Sequence, residues 1–136
     1  MNTYKNLEIY QLAFNLAIKV YRLNVTLPVT ALLNQGNRLR WTSLRMKDLI
    51  AEGFAGHKGS EEIIRTLTII TSLNQDVISL LKKIRAHNTS IRQVPELIKG
   101  YTELGRKAEA HITELQGERS EYRIRFPESY LMEKAG

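Results

Sequence analysis

Apolar positions recur along the chain with a helical period. From Leu49 to Arg85 the sequence reads as the end of one helix, a glycine-rich corner and a long further helix. Ile63, Leu67, Ile70, Asn74, Val77, Leu81 and Ile84 follow spacings of four and three residues in strict alternation. Such spacing puts all seven on one stripe, because residues three and four apart share a helix face. One stripe cannot bury itself, so other helices must cover it.

The same period predicts three more helices. The first runs from Leu7 to about Asn24, with Asn6 as its N-cap, and Ile9, Ala13, Leu16, Ala17 and Val20 as core positions. Tyr10, Phe14 and Tyr21 lie to one side, so this helix is apolar over more than half its circumference, which predicts burial on two sides. Thr26-Leu27-Pro28 ends it, since proline disfavours helix in the residue before it. The second helix runs from about Thr30 to Glu52 on a core line of Leu32, Leu39, Thr42, Met46, Leu49, Ile50 and Gly53, with Gly36 delaying or kinking its start.

Gly53, Gly56 and Gly59 turn the chain, and Gly59 or Ser60 caps the third helix, which runs to about Ala86. Asn74 interrupts its stripe, a device that can fix register or oligomer state, or that faces a buried water or a partner backbone. The fourth helix spans about Ile91 to Gln116, with Val94, Leu97, Tyr101, Leu104, Ala108, Ile112 and Leu115 inward, Pro95 in its first turn and Gly117 at its end. After it, Tyr122, Ile124 and Phe126 alternate with Arg123 and Arg125 before Pro127, a two-residue period that predicts a short extended arm. The expectation is an all-α chain: an antiparallel up-down-up-down four-helix bundle over residues 1–117, with a C-terminal tail over residues 118–136.

At 100° per residue, Trp41 and Leu44 fall opposite the second helix's core line. Arg38 and Arg45 flank one edge of that line, and Arg40 and Lys47 the other. An outward Trp beside an outward Leu, bracketed by arginines, suits a subunit interface or a stacking platform for bases; the interface is favoured, because such patches more often meet protein.

Charge sharpens the picture. The 136 residues carry a net +6. Residues 1–60 hold a balance of +5 and residues 61–136 only +1. Between Glu8 and Asp48 no acidic residue occurs, while Lys19, Arg22, Arg38, Arg40, Arg45 and Lys47 fall there. A one-sided basic surface attracts polyanions, nucleic acid above all. Arg38, Arg40, Arg45, Lys47, Lys82, Lys83 and Arg85 are the candidate backbone contacts, and salt dependence separates that role from a solvated basic face.

Catalytic chemistry finds little support. The absence of cysteine excludes disulfides, thiol chemistry and cysteine-ligated metals, and fits a reducing cytoplasm. His57, His87 and His111 lack the Glu-x-x-His and His-Glu-x-x-His spacings of metal sites, and Asp48 and Asp76 are the only aspartates, so no metal or cofactor is expected. Gly53 to Ser60 resembles a phosphate loop only faintly: its Lys58 precedes the last glycine, a helix stands where a strand should, and Glu52 would repel phosphate. No uncharged run reaches membrane-spanning length and no signal-peptide layout is present.

Several segments resemble the four-helix family of 23S rRNA-intervening-sequence proteins. They are Tyr4-Lys5-Asn6-Leu7-Glu8-Ile9-Tyr10-Gln11; Val20-Tyr21-Arg22-Leu23 followed by Leu27-Pro28; Leu39-Arg40 followed by Ile50-Ala51-Glu52-Gly53-Phe54; and Ser60, Glu62, Ile64-Arg65 and Leu67. The similarity spans roughly residues 4–85. Where that family usually carries a proline and an asparagine late in helix two, this chain has Lys47 and Leu49. The resemblance implies a homo-oligomer, a five-membered ring with the first two helices at the contacts, for which Tyr10, Phe14, Trp41 and Leu44 are the candidates. It implies no enzymatic activity. A related family includes accessory proteins of diversity-generating retroelements, whose basic ring engages a reverse transcriptase and its RNA. The function expected is a non-enzymatic, oligomeric, nucleic-acid-binding scaffold; the alternative is a protein-interaction scaffold with incidental charge.

Overall fold

A computed structural model describes the backbone of residues 3–56 and 58–125 and the side chains of residues 4–56 and 58–118. The chain is all-helical, with no strand among the described residues. Its elements are α1 (Thr3–Thr26), α2 (Val29–Ala31), a π-helical turn (Leu32–Gly36), α3 (Asn37–Phe54), α4 (Ser60–His87) and α5 (Gln93–Arg125). The junctions of α2, the π turn and α3 keep helical dihedrals throughout, so these three form one rod. Four long rods result. α1 packs on α3 and α5, and α4 packs on the same two.

The core follows the apolar stripes. All seven α4 stripe residues are buried, joined by Leu80. Leu39, Thr42, Met46 and Ile50 are buried from the second rod, while Leu32 and Leu49 are only half-buried. In α5, Val94, Leu97, Tyr101, Leu104, Ala108 and Leu115 are buried, but His111 rather than Ile112 takes the inward position. Pro28 follows the end of α1 as expected and stands as the N-cap of α2. The irregularity expected near Gly36 is the π turn itself; the buried Asn24 side chain donates from Nδ2 to the Gly36 carbonyl at 2.8 Å and ties that turn to α1.

The corner between α3 and α4 uses Ala55 in an extended conformation and Gly56 at φ 68°, a left-handed position that favours glycine. Gly59 is the N-cap of α4, and Glu61 and Glu62 lie in the first turn, where the positive end of the helix dipole favours them.

Two expectations are corrected. Asn6 does not cap α1, which already starts at Thr3; Asn6 is buried inside the helix, and its side chain faces α5. Nor does Gly117 end the last helix. α5 continues to Arg125, so residues 118–125 are helical rather than an extended arm. Continuing a formed helix needs no new nucleus, so one glycine, at a cost of about 1 kcal/mol, does not by itself end it. The rest of the expected tail, from Phe126 through Pro127 to Gly136, lies outside the described residues, as does His57.

Candidate functional site

α1 carries two apolar stripes. Ile9, Ala13, Leu16, Ala17, Val20 and Leu23 face the core. Leu7, Phe14, Ile18, Tyr21 and Val25 form a second stripe that stays exposed. Beside it, α3 exposes Trp41 (67% accessible) and Leu44 (41%). Tyr10 is half-buried and stacks obliquely on Phe14, with ring centres 6.2 Å apart. The four interface candidates therefore lie on neighbouring helices, α1 and α3, with Trp41 and Leu44 outward as the periodicity requires.

The basic candidates of α3 interleave with these rings. The Arg40 guanidinium lies 5.4 Å from the centre of the Tyr21 ring, Lys47 Nζ lies 5.9 Å from that of Phe14, and the Arg45 guanidinium lies 6.0 Å from that of Trp41. At such distances the negative face of the ring attracts the cation. Lys47 also pairs with its neighbour Asp48 at 3.0 Å. Between α1 and α3 runs a groove of about 220 Å³ lined by Phe14, Ala17, Ile18, Tyr21, Arg40, Leu44 and Lys47. Its walls are apolar and its charged groups are both cations. A second hollow, of about 350 Å³, shares Leu44 with the groove and is lined further by Trp41, Arg45, Asp48, Leu49 and Glu52.

Arg38 is exposed near the start of α3, and Lys82, Lys83 and Arg85 are exposed late in α4. None of these four lines the α1–α3 groove. The seven basic candidates thus divide into Arg40, Arg45 and Lys47, interleaved with aromatic rings, Arg38 alone near the start of α3, and Lys82, Lys83 and Arg85 on α4.

The opposite flank of α1 is electrostatically different. Against α5, Lys5 pairs with Glu114 and Glu8 with Lys107, while within α5 Glu103 pairs with Arg106. The hydrogen bond from Arg106 holds Glu103 below the usual carboxylate range, and that from Lys5 does the same for Glu114. Beneath these pairs His111 Nε2 lies 2.8 Å from Asn6 Oδ1. Burial pushes the His111 imidazole below its ordinary pKa, with the Glu114 carboxylate opposing. This side matches its cations with acids, whereas the α1–α3 groove sets Arg40 and Lys47 against rings, with Lys47 also paired to an acid.

Ile18 and Tyr21 join the site beyond the residues expected from the sequence. The signal was present in α1's second stripe. The Asn6–His111 pair had no such signal, since it joins residues 105 apart. Among the described residues no cluster of three or more His, Asp or Glu could hold a metal ion, and no helix is long and apolar enough to cross a membrane. No protein-family model, curated protein or solved structure matches the chain.

Proposed function

We propose that this chain is a non-enzymatic, self-associating basic scaffold that binds nucleic-acid backbone. The observation that carries the reading is the α1–α3 face, where exposed rings and cations share one surface drawn from a stretch that holds no acid between Glu8 and Asp48. Cations in excess over acids, as here where Asp48 pairs with Lys47 but no acid lines the groove beside Arg40, give affinity for phosphates without reading sequence.

In this reading the rods form an up-down-up-down four-helix bundle. The pairing of residues supports that order. Asn6 with His111, Glu8 with Lys107, and Lys5 with Glu114 have numbers that fall on α1 as they rise on α5. Phe14 with Lys47 and Tyr21 with Arg40 run oppositely in the same way on α1 and α3. Copies associate through Trp41, Leu44, Tyr10 and Phe14. The resemblance to the intervening-sequence family supports a five-membered ring, its relation to retroelement accessory proteins supports a reverse transcriptase as protein partner, and the lack of cysteine fits a cytoplasmic setting. No cofactor is part of the proposal.

The test is binding of labelled RNA and DNA at low salt, followed by a salt titration. Log affinity should fall linearly with log salt, by about 0.7–0.9 per phosphate neutralised. The Arg38→Glu/Arg45→Glu variant should bind markedly more weakly. Absence of binding at low salt would overturn the reading in favour of a protein-interaction scaffold, for which the exposed Trp41 and Leu44 are the specific support.

A further inference from the structure

We infer, on the nucleic-acid reading above, that the α1–α3 groove receives an unstacked nucleobase, so that the protein prefers single strands to duplex. Phe14 and Tyr21 are seven residues apart on α1, and their cations Lys47 and Arg40 are seven apart on α3. Seven residues of helix rise span about 10 Å. The groove is therefore a short apolar trough, with buried Ala17 and the exposed Ile18 and Leu44 in its lining, closed at each end by a cation beside an aromatic ring.

That layout matches the chemistry of one nucleotide turned out of a strand. The base is flat and largely apolar on its faces, and a phosphate follows it on either side. A base in the trough would displace water from Ile18, Leu44 and the open part of Tyr21, which is 54% accessible. Its flanking phosphates would then face Arg40 and Lys47. The groove of about 220 Å³ has no carboxylate in its lining, and Asp48, which pairs with Lys47 at 3.0 Å, is displaced by the phosphate at that end. A duplex keeps its base faces stacked inside, so it can meet the two cations but leaves the trough wet. Single-strand binding of this kind combines a basic track with ring stacking and tolerates any base. Phe14 and Leu44 line the groove as well as serving the self-contact, so the base takes the Ile18–Tyr21 part of the groove and the second copy takes the Trp41 and Tyr10 side.

Tyr21 provides the test, because it is exposed, lies in the groove and is not among the self-contact residues. Fluorescence anisotropy would compare a short oligothymidylate, an oligouridylate and a mixed-sequence duplex at low salt. The wild-type chain should hold the single strands more tightly. Tyr21→Ala should weaken them by about tenfold, within the range for one base on one ring, and leave duplex binding unchanged. Tyr21→Phe should restore single-strand affinity. Arg40→Gln/Lys47→Gln should weaken both forms and flatten their salt dependence. Equal wild-type affinity for strand and duplex would overturn the inference while the scaffold reading stands, as would a Tyr21→Ala change felt equally by both. A Tyr21→Ala variant that binds normally but no longer self-associates would make a second copy the groove's occupant, and overturn it too. If no nucleic acid binds at low salt, the scaffold reading fails and takes this inference with it.

Discussion

The side-chain amide of Asn74 donates to the backbone carbonyl of Tyr101 at 2.8 Å, and Gly105, one turn further along α5, leaves the space that amide occupies. A Cβ built on Gly105 would stand 2.8 Å from Asn74 Nδ2. The polar residue interrupting the α4 stripe therefore fastens α4 to α5 within one subunit. Gly105→Ala should destabilise the fold by about 1–3 kcal/mol, because the amide must move and its buried hydrogen bond breaks. In an Asn74→Ala background the same change should be neutral or stabilising, since alanine is the better helix former by about 1 kcal/mol. Denaturant midpoints of the four proteins in this cycle check the coupling. Simple additivity would mean that the two residues do not share the space.

The Asn6–His111 contact predicts a pH dependence. His111 is 2% accessible, and its Nδ1 sits 4.0 Å from Glu114, which is itself paired with Lys5. Burial lowers its folded pKa below the ordinary 6.5, with Glu114 and Glu118 opposing and Lys5 adding to the shift. The unfolded chain then binds a proton at a higher pH than the folded one. Stability from this group is present above about pH 6.5 and is lost as pH falls from there through the folded pKa. His111→Gln should flatten that fall. Urea midpoints between about pH 7 and pH 5 give the slope for each protein, and equal slopes would remove His111 as the cause.

Much of this architecture is legible in the periodicity, and the failures have physical reasons. The α4 stripe is read correctly residue by residue, because each member answers to a rule confined to its own helix. Asn6 is misread because a polar residue ahead of an apolar run has the form of a cap, while its partner His111 is supplied by a helix at the other end of the chain. The alternation around Tyr122 and Ile124 is too short to outweigh propagation of α5. On the candidate face, the outward direction of Trp41 and Leu44 follows from α3 alone. The meeting of Arg40 with Tyr21 and of Lys47 with Phe14 depends on the register of α3 against α1, which no single-helix pattern contains.

The approach of α3 and α4 at the corner is set by Gly53. A Cβ there would lie 2.3 Å from Thr66 Oγ1 and 2.4 Å from its Cγ2. Gly53→Ala should therefore cost about 1–3 kcal/mol by overpacking, although alanine is the better helix former. Thr66→Ala removes both of those atoms, leaving only its Cβ at 2.8 Å, so the double variant should recover part of the loss. Thermal midpoints suffice to measure it. A Gly53→Ala protein as stable as the parent would show that the corner can open at little cost.

Trp41 offers the sharpest test of self-association, because it is the chain's one tryptophan and reports without interference from another. In the isolated subunit it is 67% accessible, with Arg45 beside its ring. Its fluorescence should therefore be that of a solvated indole at high dilution and shift to the blue as concentration rises and copies cover it. A tryptophan at the centre of an interface commonly contributes 2 kcal/mol or more, so Trp41→Asp should weaken association by about thirtyfold or greater. Since the side chain packs little against its own subunit, helical content by circular dichroism should stay unchanged. Light scattering should then find the variant mainly as single subunits at concentrations where the parent is assembled. An unchanged mass in Trp41→Asp would remove Trp41 from the contact, and a parent that scatters as a monomer at every concentration would leave the exposed ring to some other partner.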